Sequence, residues 1–211
     1  MEKKKKKKKI IDDYWLKKLS NIRTINPLQV VLTNEVNIQQ SEVLAFKNMT
    51  SGNELAEFTI YITLFSFLIR SYYNVDEIII VSNFNPFGTS DLKTPLVYKI
   101  QVDDSLNFKD FLQKVKTEVQ ESLKYKDFEE KSYSSFFAVE KNIDKHVPAF
   151  TLQYQRKTPF NSNNLQGLLG IILNESNAEN LNLNIFAPEK TFPATYFNHS
   201  FIYLLSNVSN I

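Results

Sequence analysis

The chain has 211 residues, of which 43% are hydrophobic and 13% aromatic, and this composition excludes a disordered protein. It has no cysteine, which excludes disulfides, thiolate metal sites and cysteine nucleophiles and is consistent with a reducing cytoplasm. Its four glycines form no cluster of the kind that holds phosphates, so a nucleotide-binding site is not expected.

The formal net charge of +2 is unevenly distributed along the chain. Residues 1–10 contain seven lysines, Lys3 to Lys9, and one acidic residue, Glu2. The remaining chain has 18 basic and 22 acidic residues, a net charge of −4. Because a run of like charges repels itself, we expect residues 1–10 to be a disordered tail whose contacts with RNA or anionic lipid would be non-specific. Residues 11–211 are expected to form one folded unit.

The first predicted elements precede residue 50. A short amphipathic helix is predicted over residues 10–19, with Trp15, the only tryptophan, as its core anchor. A strand is predicted over residues 28–32, a polar loop over residues 34–40, and a second short strand over residues 41–47.

The most apolar stretch of the chain, Phe58 to Ile69, is only 12 residues long. A membrane-spanning helix needs roughly 18–20 such residues, so no membrane association is expected. The stretch instead predicts a helix buried on nearly every side, capped at Ser51 or Asn53 and ending near Tyr73.

The second half of the chain alternates strands and helices. Strands are predicted over residues 77–81, 95–102, 148–155, 165–173 and 181–186, and helices over residues 106–124, 128–139 and 193–208. The helix over residues 106–124 has the clearest apolar stripe, with Ser105 as its expected cap and Glu118 on its wet side. The interleaved elements predict an α/β (α+β) fold, a mixed β-sheet covered by helices.

Seven stretches of modest individual specificity occur in an informative order. They are Tyr14 to Ser20, Thr63 to Ile69, Glu77 to Val81, Val102 to Lys124, Tyr125 to Phe128, Pro148 to Tyr154 and Asn180 to Asn207. In this order they resemble the C-terminal half, or lobe, of a nonribosomal peptide synthetase condensation domain, a family of the chloramphenicol-acetyltransferase-like superfamily. The resemblance covers residues 11–211 and implies one lobe of that fold.

The resemblance also implies a reaction, amide bond formation between a carrier-bound acyl thioester and an acceptor amine, as in antibiotic biosynthesis. In the family this lobe forms one wall of the channel in which the phosphopantetheine arms of two carrier proteins meet. The arm is therefore the implied ligand, and no directly bound cofactor is expected. The channel residues implied are Asn83, Asn85 and Phe87 in the loop after residue 82, and Thr151 and Gln153 in a later strand.

No catalytic or metal-binding residue is assigned. The catalytic motif of the family, His-His-x-x-x-Asp-Gly, belongs to the N-terminal half, which this sequence does not contain. The two histidines stand alone, His146 in an expected turn and His199 on the expected surface of the last helix, and neither has the orienting carboxylate that general-base catalysis needs. The loop from Ser82 to Asp91 also lacks the arginine that the family usually has there.

Three functional interpretations follow. The first is a condensation-domain lobe that is inactive alone and works with an N-terminal lobe and carrier proteins in the cytoplasm. The second is a non-catalytic module that docks a carrier or a synthetase partner. The third is nucleic-acid attachment through Lys3 to Lys9, which would be salt-sensitive and not sequence-specific. Half of a two-lobed fold would also expose apolar surface, so self-association or a partner is expected rather than a monomer.

Overall fold

The computed structural model describes residues 2–19, 31–38, 46–87, 92, 95–127, 149–155, 169–177, 180–187 and 194–208. Within these ranges the helices are α1 (Glu2–Leu19), α2 (Glu54–Tyr73), α3 (Phe108–Lys124) and α4 (Ala194–Asn207), with a helical turn over residues 46–50. The strands are β1 (Val31–Ile38), β2 (Glu77–Ser82), β3 (Leu96–Gln101), β4 (Ala149–Gln155), β5 (Leu169–Asn177) and β6 (Asn180–Ala187).

The six strands form one mixed sheet in the order β1-β6-β5-β4-β2-β3. The three central strands, β5, β4 and β2, are parallel to one another. β3 is antiparallel to β2 at one edge, while β6 and β1 continue the other side in antiparallel pairs. The mixed sheet with helices predicted from the sequence is confirmed.

Helix α2 lies at the centre of the core. Twelve of its residues are buried, from Glu57 to Ile69 with the exception of the exposed Phe67. Phe58 contacts Tyr98 of β3 and Phe65 contacts Phe150 of β4, with ring centroids 5.7 and 5.9 Å apart. These contacts place α2 across one face of the sheet, as its apolar sequence requires.

Local hydrogen bonds fix where α2 begins and ends. The Asn53 side chain accepts from the Ala56 N–H at 3.0 Å, which confirms one of the two predicted caps. Asn74 ends the helix in a left-handed conformation (φ 51°), and its N–H donates to the Arg70 carbonyl. Inside the helix, the hydroxyl of Thr63 donates to the carbonyl of Thr59 at 2.8 Å, so this buried polar group is satisfied.

Helices α4 and α3 flank α2. Phe197 and Phe201 of α4 are buried and contact Phe65 and Tyr61 of α2, respectively. α4 also packs on β1 and β6, while α3 packs on α2 and β3. The buried residues of α3 are Phe111, Val115, Val119, Ser122 and Leu123, which confirms the predicted stripe.

A partly buried polar cluster joins α1, α3 and the outer edge of β3. The Glu118 carboxylate of α3 accepts from the backbone N–H of Lys99 in β3 at 2.9 Å. It also forms an ion pair with Lys18 of α1, whose side chain is only 9% exposed. Lys18 Nζ donates in addition to Ser122 Oγ at 2.6 Å and to the Tyr14 hydroxyl at 3.2 Å. The cluster therefore covers an edge strand that would otherwise offer its backbone to other chains.

Burial shifts the proton affinities in this cluster. Desolvation lowers the pKa of Lys18, opposed by the attraction of the Glu118 carboxylate. Desolvation also raises the pKa of the Tyr14 hydroxyl well above its usual value, and the nearby carboxylates of Glu118 and Glu121 act in the same direction. Tyr14 therefore stays protonated, and its oxygen accepts from Lys18.

Two predictions about α1 have different outcomes. Trp15 is 1% exposed and its indole N–H donates to the Tyr125 carbonyl at 2.9 Å, so its role as a core anchor is confirmed. A disordered tail was expected over residues 1–10, whereas α1 begins at Glu2 and includes the lysine run. The docked second half of α1 supplies the helix nucleus, so the run only has to extend an existing helix, and this offsets the repulsion between neighbouring lysines.

Other predictions fail where long-range contacts override local pattern. Residues 34–38, predicted as part of a polar loop, belong to β1 because their backbone pairs with β6. Residues 46–47, predicted as strand, are helical. The cap of α3 is Asn107 rather than Ser105, and Glu118, predicted on the wet side, binds the buried Lys18. The helix predicted over residues 128–139 lies outside the described residues.

Replacing Lys18 with alanine is expected to lower the free energy of unfolding by about 2–4 kcal/mol, because the largely buried Glu118 would lose its counter-ion. Lys17 is adjacent and exposed, so Lys17→Ala should change the free energy of unfolding by less than about 0.5 kcal/mol. Urea denaturation followed by circular dichroism measures both variants. Equal effects of the two substitutions would contradict the assigned role of Lys18.

Candidate functional site

The predicted channel residues lie in two places, in the loop that follows β2 and in β4. β2, β4 and β5 are parallel, so their carboxyl ends lie at the same end of the sheet, which is where open α/β sheets commonly bind ligands. The loop Asn83–Phe87 leaves β2 at this end. We call this loop, together with strand positions Thr151 and Gln153, the sheet-end surface.

The strand register shows which members of this surface lie together. Thr151 pairs with Val81 of β2 on one side and with Gly170 of β5 on the other. The β2–β4 register ends at this pair, one residue before the end of β2 at Ser82. Gln153 lies two residues further along β4, on the side where the loop leaves β2.

The loop is anchored by a buried aromatic ring. Phe84 is 5% exposed and its ring centroid is 4.8 Å from that of Phe58 in α2. Its N–H donates to the Ser82 hydroxyl at 3.2 Å, and the preceding Asn83 carbonyl accepts from Leu92 N–H at 2.7 Å. These contacts hold the first half of the loop against the core.

The second half of the loop turns outward. The Asn85 side chain accepts from the Phe87 N–H at 3.3 Å, a local turn that presents Phe87 to solvent. Phe87 is 66% exposed, although Pro86 before it is buried. The surface thus combines an exposed aromatic ring with amide side chains.

The chemical groups of this surface are amides, a hydroxyl-bearing residue and an exposed aromatic ring. The described loop residues include no charged or nucleophilic side chain, and a search of the described residues finds no group of His, Asp or Glu that could hold a metal ion. Glu57, next to Phe58, is fully buried and accepts from Thr50 Oγ1 at 3.1 Å. The sequence pattern gave no signal for the burial of this carboxylate.

His199 does not contribute to this surface. His199 lies on the exposed side of α4, where it lines an open groove between α2 and α4 together with Phe67, Tyr196 and Tyr203. The groove has a volume of about 680 Å³ and no carboxylate, lysine or arginine in its lining. His146 lies outside the described residues.

None of the helices in the described part of the chain is both long enough and apolar enough to traverse a bilayer.

No protein-family model and no curated protein matches the chain. Solved structures do match. The cyclization-docking bidomain of the EpoB nonribosomal peptide synthetase from Sorangium cellulosum superposes with a TM-score of 0.64 at 12% identity. The first condensation domain of the calcium-dependent antibiotic synthetase gives the same TM-score and identity. The X-domain from teicoplanin biosynthesis, solved in complex with OxyB, gives a TM-score of 0.62 at 11% identity.

These matches include nearly all of this chain but only part of each relative. They cover 96%, 96% and 95% of this chain and 49%, 51% and 52% of the respective structures. The chain therefore spans about half the length of the structures that it matches. At this level of identity the likeness establishes the fold, and the resemblance seen in the sequence is confirmed to that extent. The chain has the fold of one half of a nonribosomal peptide synthetase condensation domain, of the chloramphenicol-acetyltransferase-like type.

Proposed function

We propose that the chain is the C-terminal lobe of a condensation domain and that it has no condensing activity on its own. The proposal rests on two facts taken together: the chain matches only about half of each condensation-type structure, and it has no adjacent pair of histidines. The fold corresponds to about half of each matched domain, and the sequence has only two histidines, which are not adjacent. The order of the seven resembling stretches supports the C-terminal half rather than the N-terminal one.

In this proposal the sheet-end surface is one wall of the channel that receives a phosphopantetheine arm. Asn83, Asn85 and Gln153 have amide groups that both donate and accept hydrogen bonds, which suits the amides of the arm. Phe87 offers exposed apolar area, and Thr151 supplies a hydroxyl position in the adjacent strand. No cofactor is proposed to bind this lobe directly.

The proposed reaction is the attack of an acceptor amine on an acyl thioester, in which the amide bond forms and the donor thiol leaves. A general base must take the proton of the amine, and the family motif supplies that base from the N-terminal lobe. This lobe would bind and orient the arms, a contribution that is useful only when both lobes are present. We place the reaction in the cytoplasm, in nonribosomal peptide synthesis of the antibiotic type.

The chain alone is expected to form no amide product from an acyl thioester and an aminoacyl thioester above the uncatalysed rate. The physical reason is the missing general base, whose absence typically lowers a rate by about 10²–10⁴-fold. Mass spectrometry of the reaction mixture measures the product. An intact two-lobed condensation domain with the same thioesters is the positive control, and product formed by this chain alone would refute the proposal.

The alternative is a non-catalytic module that docks a carrier protein or a synthetase partner. The loop from Ser82 to Asp91, which has no lysine or arginine, favours this alternative because the family usually has an arginine there. Both proposals give the chain a carrier protein or an N-terminal lobe as partner, and self-association through the apolar surface of the isolated lobe is compatible with both. They differ in whether the phosphopantetheine arm matters for binding.

A pull-down with a carrier protein, with and without its phosphopantetheine arm, distinguishes the two. If the sheet-end surface contacts the arm, Phe87→Ala should weaken binding of the arm-bearing carrier by about tenfold, since burial of a phenylalanine contributes on the order of 1.5–3 kcal/mol. Tyr196→Ala is the matched control, because Tyr196 is 65% exposed and Phe87 66%.

The control variant should bind as the natural chain does. Equal binding of carriers with and without the arm, together with no effect of Phe87→Ala, would favour the docking module and count against the channel assignment.

A further inference from the structure

Helix α1 has two halves with opposite surroundings. Ile11, Trp15 and Leu19 in its second half are 5%, 1% and 2% exposed and belong to the core. Every residue from Lys5 to Ile10 is exposed. We call the exposed segment Lys5–Lys9 the lysine arm. Its lysines belong to a helix that is anchored by its other half.

The helical conformation distributes these charges around the axis. Successive residues of an α-helix are about 100° apart and rise about 1.5 Å each, so five consecutive lysines surround the axis within roughly 6 Å of length. The arm thus has no apolar face. Lys7 forms an ion pair with Asp127 at 3.0 Å, but both side chains are more than 60% exposed, and such surface pairs contribute little.

We propose that the lysine arm binds the phosphate backbone of nucleic acid without sequence preference. The partner must be a polyanion, because the arm concentrates positive charge on a chain whose remainder, residues 11–211, has a net charge of −4. A nucleic acid offers closely spaced phosphates, and lysines that neutralise them release condensed counterions. Lysine is a point charge, and the arm has no aromatic side chain to stack on a base, so the contacts read no sequence.

The arm is a poor match for a membrane surface. A helix that inserts into a lipid interface needs a continuous apolar face, and the arm has lysine on all sides, so only electrostatic contact with anionic lipid remains open to it. The single apolar residue next to it, Ile10, is 51% exposed. This inference is independent of the proposed condensation lobe, because it uses neither the sheet-end surface nor a carrier protein.

The test measures binding of the full chain to a fluorescently labelled 20-nucleotide poly(dT) between 50 and 200 mM KCl. The affinity should fall steeply with salt. In the test variant Lys5, Lys6, Lys8 and Lys9 are all changed to glutamine, which forms helices about as well as lysine. Each lysine that neutralises a phosphate of a single strand contributes roughly 0.7 to the slope of log K against log[KCl], so the four substitutions should reduce the slope by about 3. Lys7 is kept so that its pair with Asp127 is preserved.

The matched control changes the same number of charges on the body, with Lys109, Lys116, Lys124 and Lys126 replaced by glutamine. It should keep most of the natural affinity and slope, and circular dichroism checks that α1 remains helical in both variants. Failure of the natural chain to bind poly(dT) at 50 mM KCl, or equal losses in the two variants, would overturn the proposal. Binding to phosphatidylserine vesicles but not to poly(dT) would replace it with a membrane-surface role.

Discussion

The need to cover a helix that is apolar on nearly every side organises this fold. Twelve residues of α2 are buried, and no single neighbouring element can cover them all. The sheet covers one side through Tyr98 and Phe150, and α4 and α3 pack along the flanks. The buried hydroxyls of Thr59 and Thr63 are compatible with this apolar packing because each donates to a backbone carbonyl of α2 itself.

The two ends of α2 contact different parts of the sheet. Near its start, Phe58 holds Phe84 and so positions the loop of the sheet-end surface. At its end, Arg70 forms ion pairs with Asp76 and Asp104 at 2.9 Å each, which joins the segments that precede β2 and follow β3. The helix therefore fixes both the sheet-end surface, on which the proposed function depends, and the segments before β2 and after β3 at the other end of these strands.

The edge of β3 shows how a polar cluster can close a sheet. The Glu118 carboxylate accepts a hydrogen bond from the backbone N–H of Lys99, and Lys18 neutralises Glu118 in a largely buried position. The arrangement links α1 to α3 and removes one place where another chain could add a strand. In the proposed lobe, contacts with a partner would then involve the sheet-end surface rather than this edge.

The sequence by itself determined the class of fold and most of the regular elements, because apolar periodicity is strong in α2, α3 and β2. The positions of the sheet-end surface come from the sequence too, as a prediction that rests on a resemblance rather than on chemistry. Tertiary structure alone decided that residues 34–38 form a strand, that Glu118 and Lys18 pair in a largely buried position, and that Thr151 lies beside Val81. The reason is physical: strand pairing and buried ion pairs join residues far apart in the chain, and local propensity contains no information about such partners.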